Sequence, residues 1–80
     1  MKDQPTMPTL TLPELRKNRG LTQQAVADRL DKTQSYINRL EKRDNVTAES
    51  LARYIQALGG KMTIVVSFDD AEFALPALDI

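Results

Sequence analysis

The chain has 80 residues, with 11 Lys or Arg against 11 Asp or Glu, and contains neither Cys nor His. That length holds one domain with one modest core, and the missing Cys and His close disulfide frameworks, thiolate zinc sites and most acid–base catalysis, so no enzyme and no cofactor or metal is expected. No apolar run approaches the roughly 20 residues of a membrane span, and Met1 to Thr6 form no apolar signal region, which reads as a cytoplasmic protein.

Residues 1–8 carry two prolines and few apolar groups, the composition of a flexible lead-in. Thr11-Leu12-Pro13-Glu14 then fits a capping box with Pro tolerated in the first turn. It predicts a first helix to about Asn18 with Leu12 and Leu15 inward and Arg16, Lys17 and Arg19 outward, ended by Gly20 in a left-handed conformation. Thr22 caps a second helix, Gln23 to Leu30, whose Val26, Ala27 and Leu30 recur at helical spacing behind Leu21. Asp31-Lys32-Thr33 supplies a short turn and a new cap. The third helix, Gln34 to about Lys42, places Ile37 and Leu40 on one face and Gln34, Ser35, Asn38 and Arg39 on the other. Thr47 caps a fourth helix with Leu51, Tyr54, Ile55 and Leu58 on one stripe, stopped by Gly59-Gly60.

After the glycines the period changes to two. Met62, Ile64, Val66 and Phe68 alternate with Thr63, Val65 and Ser67 over a β-branched run, which predicts a strand. No strong second strand follows in the sequence, and a lone strand leaves a row of unpaired amides. The simplest partner is the same strand of a second copy, in a two-fold antiparallel ribbon through Met62, Ile64, Val65, Val66 and Phe68. Thr9 to Leu12 is an internal alternative, disfavoured because Pro8 and Pro13 bracket it closely. The remaining tail, 69–80, joins four acids to Phe73, Leu75, Leu78 and Ile80 and is too short to fold by itself. It suits docking on another protein, folding back on the domain, or disorder. The tail also explains the neutral sum: Met1 to Lys61 hold 11 bases and 7 acids, a net of +4, and the tail holds 4 acids and no base.

Leu21-Thr22-Gln23-Gln24-Ala25-Val26-Ala27-Asp28-Arg29-Leu30, a turn, then Gln34-Ser35-Tyr36-Ile37-Asn38-Arg39-Leu40-Glu41 resembles the Xre family of helix-turn-helix regulators, relatives of the lambdoid phage repressors. The likeness runs without a gap over about residues 12–58. It implies a mainly α, four-to-five-helix, lambda-repressor-like fold with one C-terminal β-strand paired across a homodimer. The working unit would then bind a palindromic operator in double-stranded DNA. The resemblance puts the third helix in the major groove, where amide and guanidinium groups pair with base edges. Gln34, Ser35 and Arg39 become the leading base contacts, with Asn38 and Tyr36 behind them. Thr22 and Gln23 stand where a helix N-terminus favours phosphate, and Thr33, Lys42 and Arg43 join them as backbone contacts. For Arg16 and Lys17, ordinary surface charge is the favoured reading over phosphate contact.

Glu41 has no second carboxylate, His or metal ligand to work with, and the family resemblance implies an internal ion pair or cap for it. Two positions depart from the family pattern: Asp31 replaces the turn glycine, a small cost because Asp enters left-handed conformations, and Arg43 replaces the glycine common after Leu-Glu, so that loop is expected to run differently. A short domain of this kind followed by Gly-Gly and a strand also resembles the antitoxins of toxin–antitoxin operons, particularly the HipB type paired with HipA-like kinase toxins. That resemblance implies repression of its own operon and neutralisation of a toxin, with Phe73 and Leu75 as candidate toxin contacts; a stand-alone or phage-type repressor with the same dimer strand is the alternative.

Overall fold

A computed structural model describes residues 9–75. Among these, four helices are followed by a two-stranded antiparallel ribbon: α1 Leu12–Asn18, α2 Gln23–Leu30, α3 Gln34–Lys42, α4 Ala48–Ala57, β1 Ile64–Ser67 and β2 Glu72–Leu75. Both Met1 to Pro8, read as a lead-in, and the segment 76–80, with Leu78 and Ile80 of the acidic tail, lie outside the described residues.

Every helix starts on a threonine. Thr11, Thr22, Thr33 and Thr47 each hold an extended backbone, and each hydroxyl accepts from the amide three residues on, at 3.0 to 3.3 Å. Each such cap contributes typically about 1 kcal/mol, which matters for helices this short, because none would persist alone in water. The stops are equally local. Gly20 (φ 76°) and Gly59 (φ 91°) take the left-handed conformation, and Asp31 does the same at φ 57°, ψ 44°. The turn thus closes without glycine, and Lys32 N–H reaches back to Ala27 O at 2.9 Å. Arg43 instead leaves α3 extended, at φ −73°, ψ 145°, so the following loop does take a course that needs no glycine there.

Val26, Ala27 and Ile37 are fully buried, as is Tyr54 from α4, and Leu40, Ala52, Ala57 and Leu58 complete the core. Leu12, Leu15, Leu21, Leu30 and Ile55 pack around it half-buried. Arg29 ties α2 to α4 by donating from Nη1 to the Ala57 carbonyl at 2.6 Å, a free acceptor at the end of that helix.

Two expectations are corrected. Arg16 does not point outward: it is only 6% exposed, because its guanidinium turns in to meet Glu41 and the Leu21 carbonyl. The strand is not alone either. It is shorter than Met62 to Phe68, and its partner is β2, from the segment read as a tail too short to fold by itself, in the register Ile64↔Leu75, Val65↔Ala74, Val66↔Phe73 and Ser67↔Glu72. Phe68 N–H donates to Ala71 O at 2.8 Å across the Asp69-Asp70 turn. By the alternation of an antiparallel ladder, Val66 and Ile64 then bond to β2, while Val65 and Ser67 turn their backbone groups to the open outer edge of β1.

A closely packed interior has no room for added methylenes. Ala27→Leu is expected to destabilise the domain by about 1–3 kcal/mol, seen as a lower urea midpoint with an unchanged slope; an unchanged midpoint contradicts this packing.

Candidate nucleic-acid interface

Because Ile37 and Leu40 are held in the core, the opposite side of α3 faces solvent. Gln34, Ser35, Asn38 and Arg39 line one open polar concavity there, of about 280 Å³. Gln34, Ser35 and Arg39 are exposed and Asn38 is half-buried. Four of the five residues read as base contacts therefore share one surface. Tyr36 lies elsewhere. It is half-buried, lines a second depression with Leu30, Leu40 and Arg53, and has Lys32 Nζ over its ring at 5.1 Å.

The residues read as phosphate contacts are more scattered in role. Thr22 and Thr33 each accept one amide hydrogen bond in capping α2 and α3, which leaves each O–H free to donate. Lys42 is exposed in the last turn of α3, and Arg43 is exposed on the extended residue after it. Gln23 faces inward as well as outward: its Nε2 donates to Glu41 at 3.0 Å and its Oε1 accepts from Gln34 Nε2 at 3.1 Å. This link between the second and third helices was not anticipated, since the two glutamines are eleven positions apart and meet only because α2 and α3 cross.

Glu41 anchors that link. Its side chain is 2% exposed and takes four donors: Arg16 Nε at 2.6 Å and Tyr54 OH at 2.5 Å on Oε2, Arg16 Nη2 at 3.2 Å and Gln23 Nε2 at 3.0 Å on Oε1. A carboxylate has about four lone-pair sites, so its capacity is filled. The expected internal pairing of Glu41 is thus present, with Arg16 as the partner. Burial works against the charged carboxylate, but the Arg16, Tyr54 and Gln23 hydrogen bonds outweigh it and hold Glu41 below its ordinary value of 4.5. The same Glu41 contact raises Arg16 further. Burial, and then the bond to Glu41, push the Tyr54 phenol far up, so it remains a proton donor. Tyr54 OH also lies 3.3 Å from the Leu12 carbonyl, which brings α1, α3 and α4 together at one carboxylate.

No described helix is long and apolar enough to cross a membrane. The helix-turn-helix family model matches residues 14–65. Among solved structures, one described as "DNA bound antitoxin HigA3" superposes with a TM-score of 0.79 at 31% identity, covering 92% of this chain and 99% of its own. A second, described as "Induced DNA bending by unique dimerization of HigA antitoxin", gives 0.77 at 30% identity, covering 89% and 97%. Both carry the HigA name rather than the HipB name suggested by the strand-after-Gly-Gly architecture. No curated protein matches the chain significantly.

The ion pair yields a test with a sign. A carboxylate whose folded value is depressed stabilises the fold above its unfolded value, and that stability is lost as pH falls through the folded one. Glu41 should therefore make the native protein progressively weaker below about pH 4.5. Removing the cation with Arg16→Met leaves a buried, unpaired carboxylate and should cost about 3–5 kcal/mol at neutral pH. The deficit should shrink in acid, as Glu41 takes up a proton. Urea midpoints of both proteins between pH 3 and 7 check this; a constant deficit across that range overturns the role given to the charge of Glu41.

Proposed function

This chain belongs to the Xre-type helix-turn-helix family, and we propose that it is a homodimeric, sequence-specific DNA-binding repressor, the autoregulating antitoxin of a toxin–antitoxin operon. The observation that carries the reading is the outward face of α3, where Gln34, Ser35, Asn38 and Arg39 line one polar concavity on a helix whose other side is locked in the core. Two relatives described as antitoxins, one of them DNA bound, align along almost their whole length and support the same reading. In the major groove Gln34 pairs with adenine, Arg39 with guanine, and Ser35 with either, Asn38 adding to them. Tyr36, turned toward Arg53 and Lys32, serves the frame of the helix and at most the edge of the contact. Thr22 and Gln23 at the start of α2, Thr33 at the start of α3, and Lys42 and Arg43 at its end contact phosphate and set register.

A single face of four polar residues binds weakly, and two copies give tight binding through effective concentration. The ribbon supplies the second copy. A two-stranded hairpin is at best marginal in water by itself, and this one makes no substantial contact with the helices. Its one face carries Ile64, Val66, Phe68, Phe73 and Leu75, with Phe68 and Phe73 edge-to-face at 6.0 Å; Val65 stands on the other face, 60% exposed. The open edge of β1 is free of charge and of proline. The edge of β2 carries Glu72, and Pro76, next in sequence, has no N–H. Pairing of β1 with β1 of the partner completes a four-stranded sheet, with the two α3 helices set to meet half-sites roughly 34 Å apart. Met62, half-buried, leads into that strand. Phe73 and Leu75 share the apolar face, so a toxin, whether a HipA-like kinase or another, would meet them at the rim of the dimer sheet.

Two variants separate these roles. Gln34→Ala with Arg39→Ala should abolish preference for the operator in a gel-shift titration while leaving thermal stability and dimerisation intact. Val65→Pro removes an N–H on the outer edge and none that faces β2, so it should yield a folded monomer by sedimentation that loses tight operator binding. A Val65→Pro monomer with unchanged operator affinity contradicts the dimer.

A further inference from the structure

The chain of hydrogen bonds from Glu41 to the reading face has a direction, and direction in an amide is information. A glutamine amide has nearly the same shape when its oxygen and nitrogen exchange places, so only its neighbours decide which end points where. The amide of Gln23 lies between Glu41 and Gln34. A carboxylate accepts and cannot donate, so Gln23 must turn its Nε2 to Glu41 and its Oε1 to Gln34. Gln34 must then offer its own Nε2 inward. What remains for DNA is Oε1 and one N–H, an acceptor beside a donor. That order fits adenine, which presents the N6 donor and the N7 acceptor in the major groove.

With Gln23 reversed, Gln34 would be held by its oxygen and would present its NH₂ group outward. Two donors suit guanine, whose O6 and N7 both accept. We infer that Glu41 is a specificity-determining residue that touches no base: through Gln23 it fixes the amide of Gln34 so that this position reads adenine and rejects guanine. Glu41 is itself unable to reverse, since Arg16 and Tyr54 hold both its oxygens. The inference rests on the proposal that α3 reads DNA and adds to it a reason for one base.

The test uses the full-length protein and a pool of duplexes with a randomised central segment. Selection and sequencing with the wild type define the preferred site, and Gln34→Ala identifies the position that Gln34 reads, as the one whose preference it removes. Titrations of duplexes that differ only there should show adenine favoured over guanine by roughly tenfold or more. Gln23→Lys offers donors alone to both neighbours, and should bring that ratio to parity or reverse it. Gln23→Met, with no polarity to transmit, should move it toward parity. Glu41→Gln, which keeps the shape but can present either end, should do likewise if its melting shows a native fold; the Gln23 variants carry the test if it does not. Lost phosphate contact at position 23 weakens all duplexes alike, so the ratio isolates the relay. Preference at the position read by Arg39 should stay constant in every variant. An adenine-to-guanine ratio unchanged in Gln23→Lys overturns the inference, and so does a Gln34 position that does not prefer adenine. A wild type that selects no sequence overturns the DNA-reading proposal beneath it.

Discussion

The bidentate contact between Arg16 and Glu41 is the constraint to which the other parts of the helical domain answer. Two charges have been taken out of water, which is costly unless each is paired and its remaining hydrogen-bonding capacity is met. Here it is met: Glu41 receives Arg16 twice, Tyr54 and Gln23, and Arg16 donates its third bond to the Leu21 carbonyl. No buried side-chain polar atom among the described residues lacks a partner. Because the donors come from α1, α2 and α4 and the acceptor from α3, the pair imposes one arrangement of four short helices that apolar contacts alone would hold less specifically. A core of Val26, Ala27, Ile37 and Leu40 can tolerate small slips; a carboxylate with four donors cannot.

The same constraint reaches the surface. The proposed reading of base edges requires α3 to present its polar side at a fixed angle, within hydrogen-bond tolerance. Ile37 and Leu40 fix its rotation, Thr33 fixes where it begins, and Glu41 fixes its far end against α1 and α4. Gln23 returns from that buried end to Gln34 at the exposed start of α3. The candidate reading face is thus tied to a buried carboxylate through a single intervening side chain.

Much of this was legible in the residues. The helices are punctuated by Thr11, Thr22, Thr33 and Thr47 at their starts and by Gly20, Asp31 and Gly59 at their ends, signals that act within a few residues and need no tertiary knowledge. Position 16 was misread by residue type. It lies four after Leu12, on the same face of α1, and spacing alone would have put it inward; a charge was read as outward because its partner sits twenty-five residues away. The hairpin escaped for a different reason. Its turn is Asp69-Asp70 with neither residue at positive φ, unlike the Asn-Gly or Asp-Gly turns that twist in step with their strands. Its second strand, Glu72-Phe73-Ala74-Leu75, has no β-branched residue. Strand formation there depends on the cross-strand neighbours Ile64, Val65 and Val66, which local pattern does not reveal.

That hairpin alters the physical case for a second copy rather than removing it. A lone strand would need a partner for all its backbone groups; a hairpin satisfies half of them and moves the question to its outer edge and its apolar face. Four-residue strands joined by a turn of poor twist have little stability to spare, and five large apolar side chains of the hairpin remain at least 37% exposed. Water covers such a surface badly. The edge that lacks charge and proline belongs to the same strand that the periodicity marked first, which supports the proposed two-fold axis beside β1. In the proposed dimer the segment Gly59 to Thr63 would set the distance between the paired sheet and each α3, and with it the spacing at which two such faces could act on one DNA.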